Sequence, residues 1–137
     1  MRGVVSYVVL PVALALGACS SFEGKEQAVD PNLFPNGYRQ EMLVTFTKTV
    51  ADPTNIRSAA ISDPVLRPVG QDQRYAVCMR ADTRDFNKQY MGVKERIAWF
   101  WGGHLNQLVE AKPGECNGMV YKPWPELEKY CLAKNCT

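Results

Sequence analysis

Two adjacent glycines, Gly102-Gly103, stand between two runs rich in apolar residues, Lys94–Trp101 and His104–Glu110. A two-residue connection of this kind closes an antiparallel hairpin, because a primed turn needs positive φ and glycine adopts it without steric cost. Upstream, the run RYAVCMRAD alternates. Tyr75, Val77, Met79 and Ala81 fall on one face and Ala76, Cys78, Arg80 and Asp82 on the other, the pattern of a half-buried strand. Ala59 to Val69 also reads as extended, with Pro64 and Pro68 confining it to an edge. Gly70-Gln71-Asp72-Gln73 supplies the turn between these segments, and a polar loop, Thr83 to Gly92, leads on to the hairpin. Connections this short join neighbouring strands, so the expectation is a meander of about four antiparallel strands.

Tyr38, Met42, Phe46 and Val50 recur at four-residue spacing, the buried face of an amphipathic helix. Val44, Thr45, Thr47 and Thr49 lower its helix propensity and would also suit a strand. The helix should stop before Pro53, with Asp52-Pro53 opening a short capped turn. Residues 111–124 are irregular, broken by Pro113, Gly114 and Gly118. Pro125 in first position and the acids Glu126 and Glu128 then start a second helix, expected to run to about Lys134. The fold class is therefore α+β: a small antiparallel β-meander with an N-terminal helix on one face and a short C-terminal helix. Within it, Trp99 and Trp101 share a face and Phe100 takes the other. The two tryptophans are expected to pack against Met42 and Phe46. The functional alternative is an exposed aromatic surface for a protein, a glycan or the membrane.

The amino terminus carries a different kind of signal. Met1-Arg2 is followed by an apolar stretch, Gly3 to Leu16, interrupted by Ser6, Tyr7 and Pro11. It is shorter than the ~20 residues that span a bilayer and reads as an export signal. It closes on Leu16-Gly17-Ala18-Cys19, followed by Ser20. This ending resembles the lipobox of bacterial lipoproteins, in which the cysteine becomes the first mature residue. The resemblance implies a signal peptide over 1–18 and a lipidated Cys19 that anchors the chain in a membrane. Two or more acyl chains hold stably where one does not. In that class an aspartate after the cysteine favours the inner membrane; Ser20 implies the outer membrane, with the protein facing the periplasm. Residues 19–37 are read as the lipidated cysteine and a flexible tether, although Phe22, Leu33 and Phe34 could dock instead. Residues 38–137 form the single domain.

With Cys19 lipidated, Cys78, Cys116, Cys131 and Cys136 remain, and four cysteines in an exported chain read as a disulfide framework with three possible pairings. The closeness of Cys131 and Cys136 favours a local bridge there, which leaves Cys78–Cys116. Paired Cys-x₂-Cys knuckles for zinc are absent, as is a redox Cys-x-x-Cys. Neither a metal nor a cofactor is expected.

Sixteen basic side chains face 14 acidic ones with no basic block, which argues against a nucleic-acid partner. Among catalytic patterns, G-x-S-x-G, the P-loop, G-x-G-x-x-G and H-E-x-x-H are all missing. The single histidine, His104, adjoins the glycine turn, and the pairs Asp82/Asp85 and Glu126/Glu128 read as solvation and capping. What stands out is Trp99 with Trp101, and a mixed-charge rim with Arg80, Arg84 and Lys88. These five residues are the candidate interaction surface. Read as a whole, YAVCMRADTRD…YMG…RIAWFWGGHLNQLVEA…C…YKPWPELE resembles a set of small envelope lipoproteins of Gram-negative bacteria, which brings no activity with it. The expected function is a lipid-anchored, non-enzymatic binding or structural module that meets an envelope protein or cell-wall component. The alternative is a small periplasmic hydrolase or accessory enzyme built around His104.

Overall fold

A computed structural model of the chain describes Gly3 and residues 28–131. The elements run α1 (Tyr38–Thr49), β1 (Asp52–Ser62), β2 (Val65–Val69), β3 (Asp72–Arg84), β4 (Tyr90–Trp101), β5 (His104–Glu110), β6 (Tyr121–Pro123) and α2 (Pro125–Glu128). The strands form one antiparallel sheet in the order β5-β4-β3-β1-β6, with β2 also paired to β3. The sheet thus has six strands rather than about four.

Several differences from the sequence reading have a local cause. Asp52-Pro53 opens β1 instead of a helical turn. The Asp52 carboxylate accepts from the Thr54 amide at 3.0 Å and the Thr54 hydroxyl at 2.6 Å, which turns the chain straight into the ladder. The extended segment over 59–69 belongs to two strands, interrupted at Asp63-Pro64, where proline has no N–H to give. There the Ser62 hydroxyl accepts the Cys78 amide at 2.9 Å and patches the ladder. The edge placement holds for β2 but not for β1, which is covered by β6. The loop expected over 83–92 shrinks to five residues, because the Asp85 side chain accepts from the Asn87 and Gln89 amides and lets Arg84 pair with Tyr90. The irregular stretch over 111–124 contains β6. α2 is a single turn ending at Glu128, not at Lys134.

The central strand is buried on both faces, not on one, as Ala76, Val77, Cys78 and Met79 are all inaccessible. Val77, Met79 and Ala81 pack with Met42 and Phe46 of α1, and with Phe100, Trp124 and Leu127. Ala76 and Cys78 pack on the other side with Ile97, Cys116 and Met119. The pairing of Ala76 with Trp99 puts both tryptophans of β4 on this second face, away from the helix. Trp99 is half-buried and Trp101 is 41% exposed. The place expected for them under Met42 and Phe46 is filled by Phe100 and Trp124.

The segment read as a tether also contributes contacts. Pro35 is buried, Phe34 meets Tyr75 edge-on at 5.2 Å, and the Gly102 amide donates to the Pro31 carbonyl at 3.3 Å. The turn glycines have φ of 58° and 81°, and a Cβ on Gly102 would sit 2.5 Å from Val29. Glycine is thus needed there twice, for its left-handed φ and for the close approach of the chain ahead of α1.

Candidate functional site

Cys78, in the middle of β3, is bonded to Cys116, 38 residues later. The bridge pins the 111–120 segment across the centre of the second face and leaves that face open at both ends. At the β1–β6 end lies a hollow of about 460 Å³ lined by Ser58, Ala60, Arg80, Val93, Tyr121 and Glu128. At the β2 end lies another of about 360 Å³, lined by Arg67, Pro68, Val69, Trp99, Gly114 and Glu115. The five residues singled out from the sequence are therefore divided. Trp99 lines the hollow at the β2 end and Arg80 the other, while Trp101, Arg84 and Lys88 line neither.

The larger hollow is bordered by ordered charge. The Arg80 guanidinium lies 4.5 Å over the Tyr121 ring, and the Tyr121 hydroxyl donates to Glu95. Burial first, and then the Glu95 carboxylate, push the Tyr121 pKa up. Arg57 is held by buried Asp82 at 2.8 Å and stacks 3.6 Å over Tyr90, whose hydroxyl donates to the Asn55 carbonyl. Register shifts in β1, with left-handed φ at Asn55 and Ser58, bend the strand around this end. Arg84 and Lys88 are not the free rim charges that their sequence context suggests, since both grip the buried Asp52, at 2.7 and 3.0 Å. Beyond them the tip of the β3–β4 hairpin carries Phe86, 86% exposed.

Burial alone would raise the Asp52 pKa. Hydrogen bonds from the Thr54 hydroxyl and amide and from Lys88, with the Arg84 charge, hold it well below the usual carboxylate range. A folded pKa beneath the unfolded value of about 4 contributes stability that is present above that value and is lost as pH falls toward the folded one. Asp52→Asn should therefore destabilise by about 2–4 kcal/mol at neutral pH, toward the lower end because Lys88 is largely exposed. The gap to wild type should narrow as pH drops from about 5 to 2. Thermal melts of both proteins across that range check this; a constant gap would mean that Asp52 is not the titrating group.

Besides Trp99, the smaller hollow involves residues the sequence reading passed over. Arg67 and Arg74 are direct partners across the β2–β3 pair, and Arg74 lies 4.3 Å over the Trp101 ring. The Arg67 guanidinium donates to the Asn117 carbonyl at 2.5 Å. A signal for the pair did exist: counting outward from a two-residue turn at Gly70-Gln71 sets position 67 against 74. The four-residue turn expected there hides that register.

His104 lies outside both hollows. Its Nδ1 is 3.1 Å from the Glu41 carboxylate while the side chain remains 82% exposed at the β4–β5 turn. Its neighbour is thus an acid on α1, which also accepts the Leu105 amide at 2.6 Å and so ties α1 to the sheet edge. Cys131 is also disulfide-bonded. Cys19 and Cys136 lie outside the described residues, as do the export signal and lipobox. Among the described residues, no three His, Cys, Asp or Glu side chains gather to hold a metal, and no helix is long and apolar enough to cross a membrane. Comparison with protein-family models, curated proteins and solved structures finds no match.

Proposed function

We propose that the protein is a lipid-anchored module of the Gram-negative envelope that binds an envelope component on the second face of its sheet. The observation that carries this reading is the half-covered face itself. A disulfide holds one segment across its middle and leaves two hollows walled by rigid strands, and preformed concavities of this size are where proteins hold ligands. The anchor rests on Leu16-Gly17-Ala18-Cys19, with Ser20 favouring the outer membrane. Binding is preferred to hydrolysis because His104 and its Glu41 partner stand apart from both hollows.

Two measurements test the two halves. Cys19→Ser should leave the chain unprocessed or soluble, because a hydroxyl cannot form the thioether; a processed variant still in the outer membrane at wild-type level would overturn the anchor. A photo-crosslinker at Val93, in the larger hollow, should capture an envelope component in cells, whereas one at Val44 on α1 should not. Equal capture from both positions would overturn the choice of face.

A further inference from the structure

Arg67 and Arg74 present an unsolved electrostatic problem at the β2 end. Like charges directly opposite each other on a sheet destabilise it. Here the two arginines are direct cross-strand partners in the β2–β3 pair, and among the described residues neither has a carboxylate within ion-pair distance. Arg67 turns to a backbone carbonyl and Arg74 to the Trp101 ring, while the Arg74 Nε is buried with no hydrogen-bond partner. A buried donor without a partner is expensive, and the guanidinium fork is shaped to take a carboxylate or phosphate through two parallel bonds.

Arg67 lines the hollow and Arg74 stands next to it in the ladder, and the lining combines apolar and charged side chains. Trp99, Pro68 and Val69 supply its apolar lining, while Arg67 and Glu115 give it a charged rim; Gly114 has φ of 85° and no Cβ to narrow it. A lipid chain would bury the rim charges without a partner. A bare anion would leave the indole unused. A sugar ring fits both halves, with its C–H face on the indole and its hydroxyls toward the rim. We propose that this hollow binds an anionic sugar, the ring lying on Trp99 and its carboxylate or phosphate received by Arg67 and Arg74. This rests on the binding-module reading and names the ligand class for one end of that face.

The test uses the full-length chain purified in detergent, titrated with N-acetylmuramic acid, N-acetylglucosamine 1-phosphate, neutral N-acetylglucosamine and inorganic phosphate, with tryptophan fluorescence and calorimetry as readouts. The acidic sugars should bind about tenfold or more tightly than either the neutral sugar or phosphate alone, the scale of one charge-assisted contact. Whichever acidic sugar binds better identifies carboxylate or phosphate as the source. Arg67→Gln, Arg74→Gln and Trp99→Leu should each lose about tenfold, and Arg80→Gln in the other hollow should lose none. If Arg74→Gln does not fold, Arg67→Gln carries the same test. Equal binding of neutral and acidic sugars, phosphate binding as tightly as the sugar phosphate, or no binding of any probe would each overturn the assignment. Crosslinking through Val93 would stand in all three cases, so such a failure would be separate from failure of the binding-module reading.

Discussion

Replacing Trp124 with alanine is expected to remove a large part of the protein's stability. Trp124 is the largest side chain with 0% exposure, and it packs in the same core as Met42, Phe46, Ile61 and Phe100. Its backbone matters as well. The Trp124 amide donates to the Ala59 carbonyl at 2.9 Å, and its carbonyl accepts from Leu127, so the residue joins β1 to the start of α2. Truncating a buried tryptophan costs about 3–5 kcal/mol through lost transfer energy and the cavity left behind. Against a typical domain stability of about 5–15 kcal/mol, that is a melting temperature lower by about 12 °C or more. Trp124→Phe should be much milder, because it keeps most of the volume and removes an indole N–H that is buried with no hydrogen-bond partner. Thermal melts of the two variants check this. An alanine variant melting within about 3 °C of wild type, less than one kcal/mol, would mean that Trp124 does not occupy this core.

Trp124 also shows where sequence reasoning stops. The hairpin at Gly102-Gly103, α1 and the alternation through β3 were legible because each is a local pattern: turn chemistry, a four-residue period and a two-residue period. Trp99-Phe100-Trp101 was legible as two faces, but not which face the helix would cover, since that depends on the register of β3 against β4. The three residues of β6 have no period at all. They become a strand because the Cys78–Cys116 bridge and the Trp124–Ala59 hydrogen bond bring them beside β1. A run too short to declare itself is thus set by long-range contacts. The same limit hid the smaller hollow, where hairpin register sets Arg67 of the lining against Arg74 and where the tryptophan comes from another strand. Arg84 and Lys88 were visible as charges, but their common partner, Asp52, sits more than 30 residues away in sequence and reads locally as a cap.

The second large effect should come from removing the central bridge. Cys78→Ala with Cys116→Ala opens a loop of about 40 residues, and the chain-entropy account gives such a loop about 4 kcal/mol of stabilisation, within the 2–5 kcal/mol seen when native disulfides are lost. The double variant is the cleaner test than a reductant, because Cys131 is disulfide-bonded too. The damage should be uneven. The helix-side core is made of Met42, Phe46, Val77, Phe100 and Trp124 and does not contain the bridge, so α1 and its packing should persist. On the other face, Cys116 and Met119 are the buried residues that the 111–120 segment contributes, and without the bridge that segment is held by their burial, the Ala111–Glu95 backbone bond and the Arg67–Asn117 bond. Hydrogen exchange should therefore quicken at the Asn117 and Met119 amides, which close the turns of that segment, while the β3–β4 ladder stays protected. The smaller hollow loses a wall when that segment lifts, since Gly114 and Glu115 border it, while the larger is bordered by Tyr121 of β6, the next residue along the chain. Binding at the second face should fall together with the local protection, and at temperatures below the global melt. If exchange rises uniformly over the whole sheet instead, the bridge supports the entire fold rather than the face that it crosses.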